Sequence, residues 1–393
     1  MRPRTSGYHL LSYYSSAALW NLCMGMVQVL LPLYANALGF SILKISSLIA
    51  LPALAEIGVR FLGSAYSDRF GERRVLQACF WLMFVSGVVL VAAESYSLLF
   101  VAQTLANFSR SNFWIAIQSL GSQLPGANVG KRLGRLSACN YGGNLIGLSL
   151  GGVLAALVGY PKAFLLLSAA AFVCILLGLA LPDVASKPGG RTVWAITRGI
   201  GQFLSYRPIW LIISVSYAAA LPSSLTQSIY PVYFAQMQYG EQWIGAAISV
   251  RSLAPILMGL ALGSMIAIKR QREIYAVGMA GLGISLICSG LAESLSLGAL
   301  LIALLGASGA VMDLLYQVQA SEWSQPRDRS VAMATAGLGW VVCPFSAPLI
   351  VGWLAEAHGF GIAFMASGVF FLLASLGTRL WHRLLAPAEE LKA

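Results

Sequence analysis

Five ionisable side chains stand in the middle of long apolar runs: Glu56, Arg60, Arg110, Arg251 and Asp313, with Glu322 closing another run. A charge at the centre of a lipid bilayer costs about 2.5–3.5 kcal/mol, so five facing lipid would cost roughly 12–17 kcal/mol. They are therefore expected to face an interior, paired or wet. Glu56 and Arg60 are four residues apart and share a helix face, which lets them form an ion pair. The chemistry on offer is proton carriage. Burial favours a neutral carboxyl and a nearby guanidinium favours the ionised one, so a carboxylate whose arginine moves away takes up a proton. Glu56 is one candidate carrier; Asp313, with Arg110 as its partner, is the other.

Nucleophilic or metal chemistry has no residues to work with. The three histidines (His9, His358, His382) lie toward the ends, and the six cysteines are scattered singly through apolar runs. No catalytic group, metal or cofactor is expected, and no enzyme. Two polar stripes add to the charges. Tyr14, Asn21 and Gln28 recur every seven residues, as do Ser216, Ser223 and Tyr230, with Gln227 beside them. Interhelical hydrogen bonds, about 0.6 kcal/mol each, are the plain use of such residues. Taken as stripes, and with Arg110 and Arg251, they are read as the lining of a cavity for a small molecule.

The elements that position these groups follow from composition. Of 393 residues, 58% are apolar and 10% charged, and mean hydropathy is +0.76. Soluble domains carry about 25% charge, so the chain is expected to be an all-α membrane protein. A spanning helix needs about 20 apolar residues. Twelve runs qualify, starting near Leu10, Ile42, Val75, Ser97, Leu133, Ala163, Ile209, Gln242, Ile274, Leu297, Val331 and Ile362. The one long connection predicts three parts: a six-helix bundle at 1–182, a linker at 183–207 and a second six-helix bundle at 208–393. Within the linker, Thr192–Tyr206 is amphipathic and reads as a helix lying on the membrane surface.

With both termini cytoplasmic, 20 of the 25 basic residues fall in inner segments, and only Lys44 and Lys162 in outer ones. That split follows the positive-inside rule and makes the net charge of +11 a mark of topology, with no nucleic-acid partner implied. The expected location is the cell (inner or plasma) membrane. The first apolar run is too long for the core of a secretory leader, so it is expected to stay as the first span.

The two bundles repeat each other. Gln28-x3-Pro32-x-Tyr34 returns as Gln227-x3-Pro231-x-Tyr233, and Ala93-Glu94-Ser95-x-Ser97-Leu98 as Ala292-Glu293-Ser294-x-Ser296-Leu297, both at an offset of 199. Gln118 and Gln317 share that offset, and Gly63-Ser64 recurs one residue later as Gly263-Ser264. Two parallel, pseudo-symmetric halves suit rocking of one against the other around a central site.

Two motifs carry a family resemblance. Ser64-x3-Asp68-Arg69-x-Gly71-Glu72-Arg73-Arg74-x-Leu76 resembles the loop after the second helix in the major facilitator superfamily of transporters. Gly134, Gly143, Gly147, Gly151 and Gly152 match the five glycines of the fifth-helix motif in its proton-coupled drug antiporters, with Leu148 in place of the motif's proline. The resemblance implies that spans 1, 4, 7 and 10 line the cavity, that spans 2, 5, 8 and 11 act as gates, and that 3, 6, 9 and 12 lie outside. All five buried charges fall on the first two groups. It further implies that Asp68, Arg69, Gly71 and Arg73 form a gating loop and that the helix-5 glycines seal the seam between halves. Two family features are absent: an acid in the first helix, and an arginine where Gln103 stands early in the fourth. The function expected is proton-coupled efflux of a small amphipathic organic compound by a monomer. Its partners are the substrate, protons and the bilayer. An importer or exchanger of a small anion, and a transport-inactive sensor or scaffold, are the alternatives.

Overall fold

The computed structural model describes residues 7–124, 129–183, 204–205, 207–262, 271–322, 335–378 and 380. They form α1 Gly7–Ala37, α2 Ile42–Phe70, α3 Glu72–Val91, α4 Tyr96–Gln123, α5 Val129–Val158, α6 Tyr160–Leu179, α7 Pro208–Thr226, α8 Ile229–Gln236, α9 Glu241–Leu262, α10 Gln271–Gly290, α11 Leu295–Glu322, α12 Gly339–His358 and α13 Phe360–Leu376. Helix is the required answer for an apolar chain in lipid, because every backbone N–H and C=O must find its partner within the segment. The expected surface helix at Thr192–Tyr206 falls almost wholly outside the described residues.

Helices α7 and α8 are two parts of one crossing, so the thirteen helices make twelve crossings. The break follows from Pro231, which has no N–H and whose ring clashes with the carbonyl four residues back, at Gln227. Eight crossings are long and apolar enough to span a membrane by composition alone, and α13 is apolar over 17 described residues. The three that remain, α2, α4 and α9, carry Glu56, Arg110 and Arg251. Eleven crossings begin within four residues of their sequence-predicted starts. For α12 the expected start at Val331 lies outside the described residues; Thr335-Ala336 are helical, a turn follows at Gly337-Leu338, and the regular helix runs from Gly339.

The chain divides into two compact units. Unit 1 comprises Met1–Phe40, Leu51–Val193 and Gln238–Ser249; unit 2 comprises Ser41–Ala50, Trp194–Met237 and Val250–Ala393. Inside unit 1, α1 packs on α5 and α6, and α3 on α4 and α6; inside unit 2, α7 packs on α12, and α10 on α11 and α13. The repeat reaches individual hydrogen bonds. Ser95 caps α4 through the Leu98 N–H, as Ser294 does α11 through Leu297. Ser86 donates to the Ala102 carbonyl, and Ser285 to that of Leu301. Tyr34 meets Phe164 edge-on at 5.5 Å, and Tyr233 meets Phe364 at 5.2 Å. Helices α6 and α13 both start after a glycine at positive φ, Gly159 (79°) and Gly359 (86°). Large apolar side chains stay exposed along α3 (Trp81, Val88), α6 (Leu165, Phe172), α10 (Val277, Ile284) and α13 (Phe370, Leu373). A surface of that kind is made for lipid.

Candidate functional site

Two buried charges meet in unit 1. The Arg110 guanidinium donates to Glu56 Oε2 at 2.7 Å, bridging α4 and α2, with the two side chains 18% and 9% exposed. Arg110 thus pairs with Glu56, where the sequence had suggested Asp313. The Arg60 side chain, expected to pair with Glu56, lies outside those described, as do those of Asp68 and Arg69. Around this pair α4 is polar through its middle, with Asn107, Ser109, Ser111 and Asn112 all buried. Trp20 of α1 stacks on Phe113 and donates its indole N–H to Ser109 Oγ at 2.9 Å, while Ser109 donates onward to the Cys79 carbonyl. These contacts hold α4 between α1 and α3 and so fix the height of Arg110.

The first polar stripe divides. Asn21 donates to Asn140 Oδ1 at 2.8 Å and Gln28 accepts from Asn144 Nδ2 at 3.2 Å, so an amide ladder ties α1 to α5. Both are almost fully buried, at 3% and 8% exposure, while Tyr14 is half-buried. Both amides therefore make the plain interhelical bonds.

In the second stripe Ser223 and Gln227 are half-buried, but Tyr230 is 0% exposed. Its hydroxyl meets Ser289 Oγ of α10 at 2.8 Å and its ring packs on Phe364 of α13. Tyr230 is thus a packing residue against α10 and α13, not cavity lining. Spacing by seven keeps a face only along an unbroken helix, and the break after Thr226 rotates Tyr230 away. Ser216 is likewise turned aside, donating to the Ala336 carbonyl. Tyr230→Phe is expected to lower the melting temperature in detergent by a few degrees, for a lost bond of about 1 kcal/mol, and to leave the ranking of transported compounds unchanged. A changed ranking would return Tyr230 to the cavity.

Asp313, half-buried on α11, accepts from Gln317 Nε2 at 3.0 Å and is faced by the Trp340 indole of α12. Both are neutral. Arg251, half-buried on α9, lies where α9 crosses α11, because a side chain on Gly306 would meet its backbone carbonyl at 2.8 Å.

The matched glycines serve three different surroundings. A Cβ on Gly143 would run into the Ala18 carbonyl and one on Gly147 into that of Leu22, while Gly151 lies against Met26. These three admit α1. A Cβ on Gly152 would collide with the Glu241 carbonyl and approach Gly245 of α9, and Gly134 has open space. Gly143, Gly147 and Gly151 thus serve close packing on α1 of the same half, in place of the seam the resemblance implied, and Gly152 packs on the start of α9 within unit 1. In unit 2 a matching contact joins α2 to α12: Gly352 lies under Ser46, and Glu356 Oε2 accepts from the Leu43 N–H at 2.7 Å. Tyr160 donates to Glu241 Oε1 at 3.2 Å at the start of α9.

The loop motif is anchored just after Gly71. Buried Glu72 accepts from Ser119 Oγ (2.8 Å) and Gln123 Nε2 (2.6 Å) of α4. Arg73 donates to the Leu179 carbonyl at 2.7 Å, a cation at the negative end of α6. Glu72 stands among arginines in the sequence, but its partners here are uncharged side chains of α4, which gave no signal at that distance along the chain.

Twelve helical crossings in a repeated arrangement, with a buried ion pair between two of them, define a multi-pass membrane transporter. The chain belongs to the Major Facilitator Superfamily, whose family model matches residues 14–250 and 224–393. That membership sets it among transporters, apart from enzymes. It is 27% identical over 261 residues to the rat chromaffin granule amine transporter (Rattus norvegicus), covering 64% of this chain and 48% of that protein. To the quinolone resistance protein NorA of Staphylococcus aureus it is 20% identical over 230 residues, covering 58% and 59%. The matches thus span about half the length of these relatives. Among solved structures, the nucleoside transporter NupG superposes with a TM-score of 0.82 at 11% identity, covering 96% of this chain and all of that one. A D-xylose-proton symporter superposes at 0.73 and 15%, covering 94% and 97%. At such identities the likeness is one of fold.

Proposed function

We propose that the protein is a secondary active transporter of the plasma (inner) membrane, both termini cytoplasmic, that expels a small amphipathic organic amine in exchange for protons. The observation that carries this reading is the buried Glu56–Arg110 pair, which joins an expected gate helix to an expected cavity helix. If α2 and α4 separate during alternating access, the carboxylate loses its cation in an apolar surrounding and takes a proton; when they close, the guanidinium displaces it. Glu56 is the proton carrier in this scheme. Asp313, whose neighbours Gln317 and Trp340 bring no cation, offers its carboxylate as the partner of an organic cation. The names of the two curated relatives, an amine transporter and a quinolone resistance protein, support an organic substrate of that kind. Pairing with Glu56 also removes Arg110 from the charge available to an anion.

The test uses everted membrane vesicles, acidified inside by respiration and followed by a quenched dye. Cationic, zwitterionic and anionic compounds are added to vesicles holding wild type, Glu56→Gln or Asp313→Asn. Cationic amines are expected to dequench the wild type. Glu56→Gln abolishes the signal for every compound, while Asp313→Asn weakens it for cations by tenfold or more, about 1.4 kcal/mol of lost charge pairing. Silence from all compounds in vesicles containing the protein would overturn efflux, and a response confined to anions would favour the anion exchanger.

A further inference from the structure

At the end of unit 1 where α1 and α3 begin and α6 stops, an open cavity of about 580 Å³ is lined by Tyr8, His9, Arg73, Leu176, Leu179 and Asp183, with a few neighbours. It contains none of the expected cavity-lining or proton-carrying residues, and only Arg73 belongs to the expected gating loop. Two of its polar groups, Arg73 and His9, are held in place by the end of α6. Arg73 donates one N–H to the Leu179 carbonyl, and His9 Nδ1 lies 3.1 Å from the Ala180 carbonyl. A guanidinium has five N–H donors, so one bond to a carbonyl fixes its position and leaves capacity for an anion. Asp183 adds a carboxylate to the same cavity and is exposed.

Below this polar rim the walls turn apolar. Leu176 and Leu179 are half or more exposed, and Phe172 continues the strip along α6. On α3, Phe84 touches Phe172 at 5.8 Å and Trp81 is 49% exposed. In the bilayer this strip faces acyl chains. A cation held by the end of α6 and an exposed carboxylate in the same cavity, above an apolar strip, describe the inverse of a zwitterionic lipid, with phosphate for Arg73 and ammonium for Asp183. A purely anionic headgroup would bring its charge toward Asp183 uncompensated. A quaternary ammonium has no N–H for that carboxylate; a primary one has three.

We propose that this cavity binds the headgroup of a phospholipid bearing a primary ammonium, the phosphoethanolamine class, with its chains along α3 and α6. The inference is independent of what the transporter carries. It is tested on the full-length protein, purified in mild detergent from membranes containing phosphoethanolamine, phosphocholine and phosphoglycerol lipids, by mass spectrometry of the lipids retained after washing. Wild type is expected to retain phosphoethanolamine above the other two. Asp183→Asn, which leaves the Arg73 and His9 contacts with α6 untouched, lowers that retention about fivefold and levels phosphoethanolamine with phosphocholine. Leu176→Trp, which fills the apolar wall, lowers retention of all three. Equal retention by wild type and Asp183→Asn, preference for phosphoglycerol, or no retained lipid in wild type would overturn the proposal.

Discussion

Arg110→Ala is expected to abolish proton-coupled transport and to cost about 3–5 kcal/mol of stability, because it leaves Glu56 buried without its cation. Glu56→Gln is expected to stop coupling as completely, and to strand Arg110 in turn. The informative variant is the double one. Glu56→Gln with Arg110→Gln replaces a charged pair by two amides that can bond each other, and removes both buried charges. Buried pairs exchanged as a unit are often neutral for stability. Melting in detergent should therefore return to within about 1 kcal/mol of wild type, with interaction energy of opposite sign to the single losses. Transport is where the two roles part. If the pair only braces α2 against α4, the double variant recovers transport together with its melting temperature. If Glu56 carries the proton, stability returns and coupled transport does not. Recovery of both would sink the coupling role.

How much of this site the sequence discloses depends on the distance over which a contact acts. The ion pair visible along the chain was Glu56 with Arg60, since one turn of helix brings them together; a partner 54 residues away is set only by how α2 packs near α4. The repeat was legible where both copies kept the same residues for the same local task, as Ser95 and Ser294 do in capping. It went unread at Phe164 and Phe364, whose offset is 200 while that of Tyr34 and Tyr233 is 199. The edge-on ring contact is preserved across that one-residue shift. Charge was legible in another way: α2, α4 and α9, which carry Glu56, Arg110 and Arg251, are the ones whose polarity keeps them from reading as simple apolar spans. Tyr230 misled because a period says nothing about where a proline interrupts it. The small-residue face of α5 was plain in the sequence, but not the identity of the neighbour it admits.

That neighbour makes a sharp prediction at α5. Gly143→Val and Gly147→Val are expected to prevent stable folding, or to lower the melting temperature by ten degrees or more. A Cβ at either position would strike a backbone carbonyl of α1, that of Ala18 or Leu22. A backbone atom of a long helix has no rotamer by which to yield, so the loss should exceed the 1–3 kcal/mol typical of overpacking. It would be compounded by the amide ladder, because the Asn21–Asn140 and Gln28–Asn144 bonds need the same close approach. Gly25 makes the contact reciprocal: its Cβ would lie 2.5 Å from the Asn144 carbonyl and 2.9 Å from the Leu148 nitrogen. Gly134→Ala, with nothing within 4 Å, should leave melting unchanged or raise it by the helix propensity gained, about 1 kcal/mol. Gly152→Val tests a different boundary, because it meets the Glu241 carbonyl and Gly245 of α9 and leaves the contact with α1 alone. If α5 and α9 part and rejoin in each transport cycle, a side chain there disfavours the joined state without unfolding the chain. Such a variant should melt close to wild type yet transport at least tenfold more slowly. A Gly152→Val protein that melts as low as Gly147→Val would place both glycines in one static core, and a fully stable Gly143→Val would remove the reason for the motif altogether.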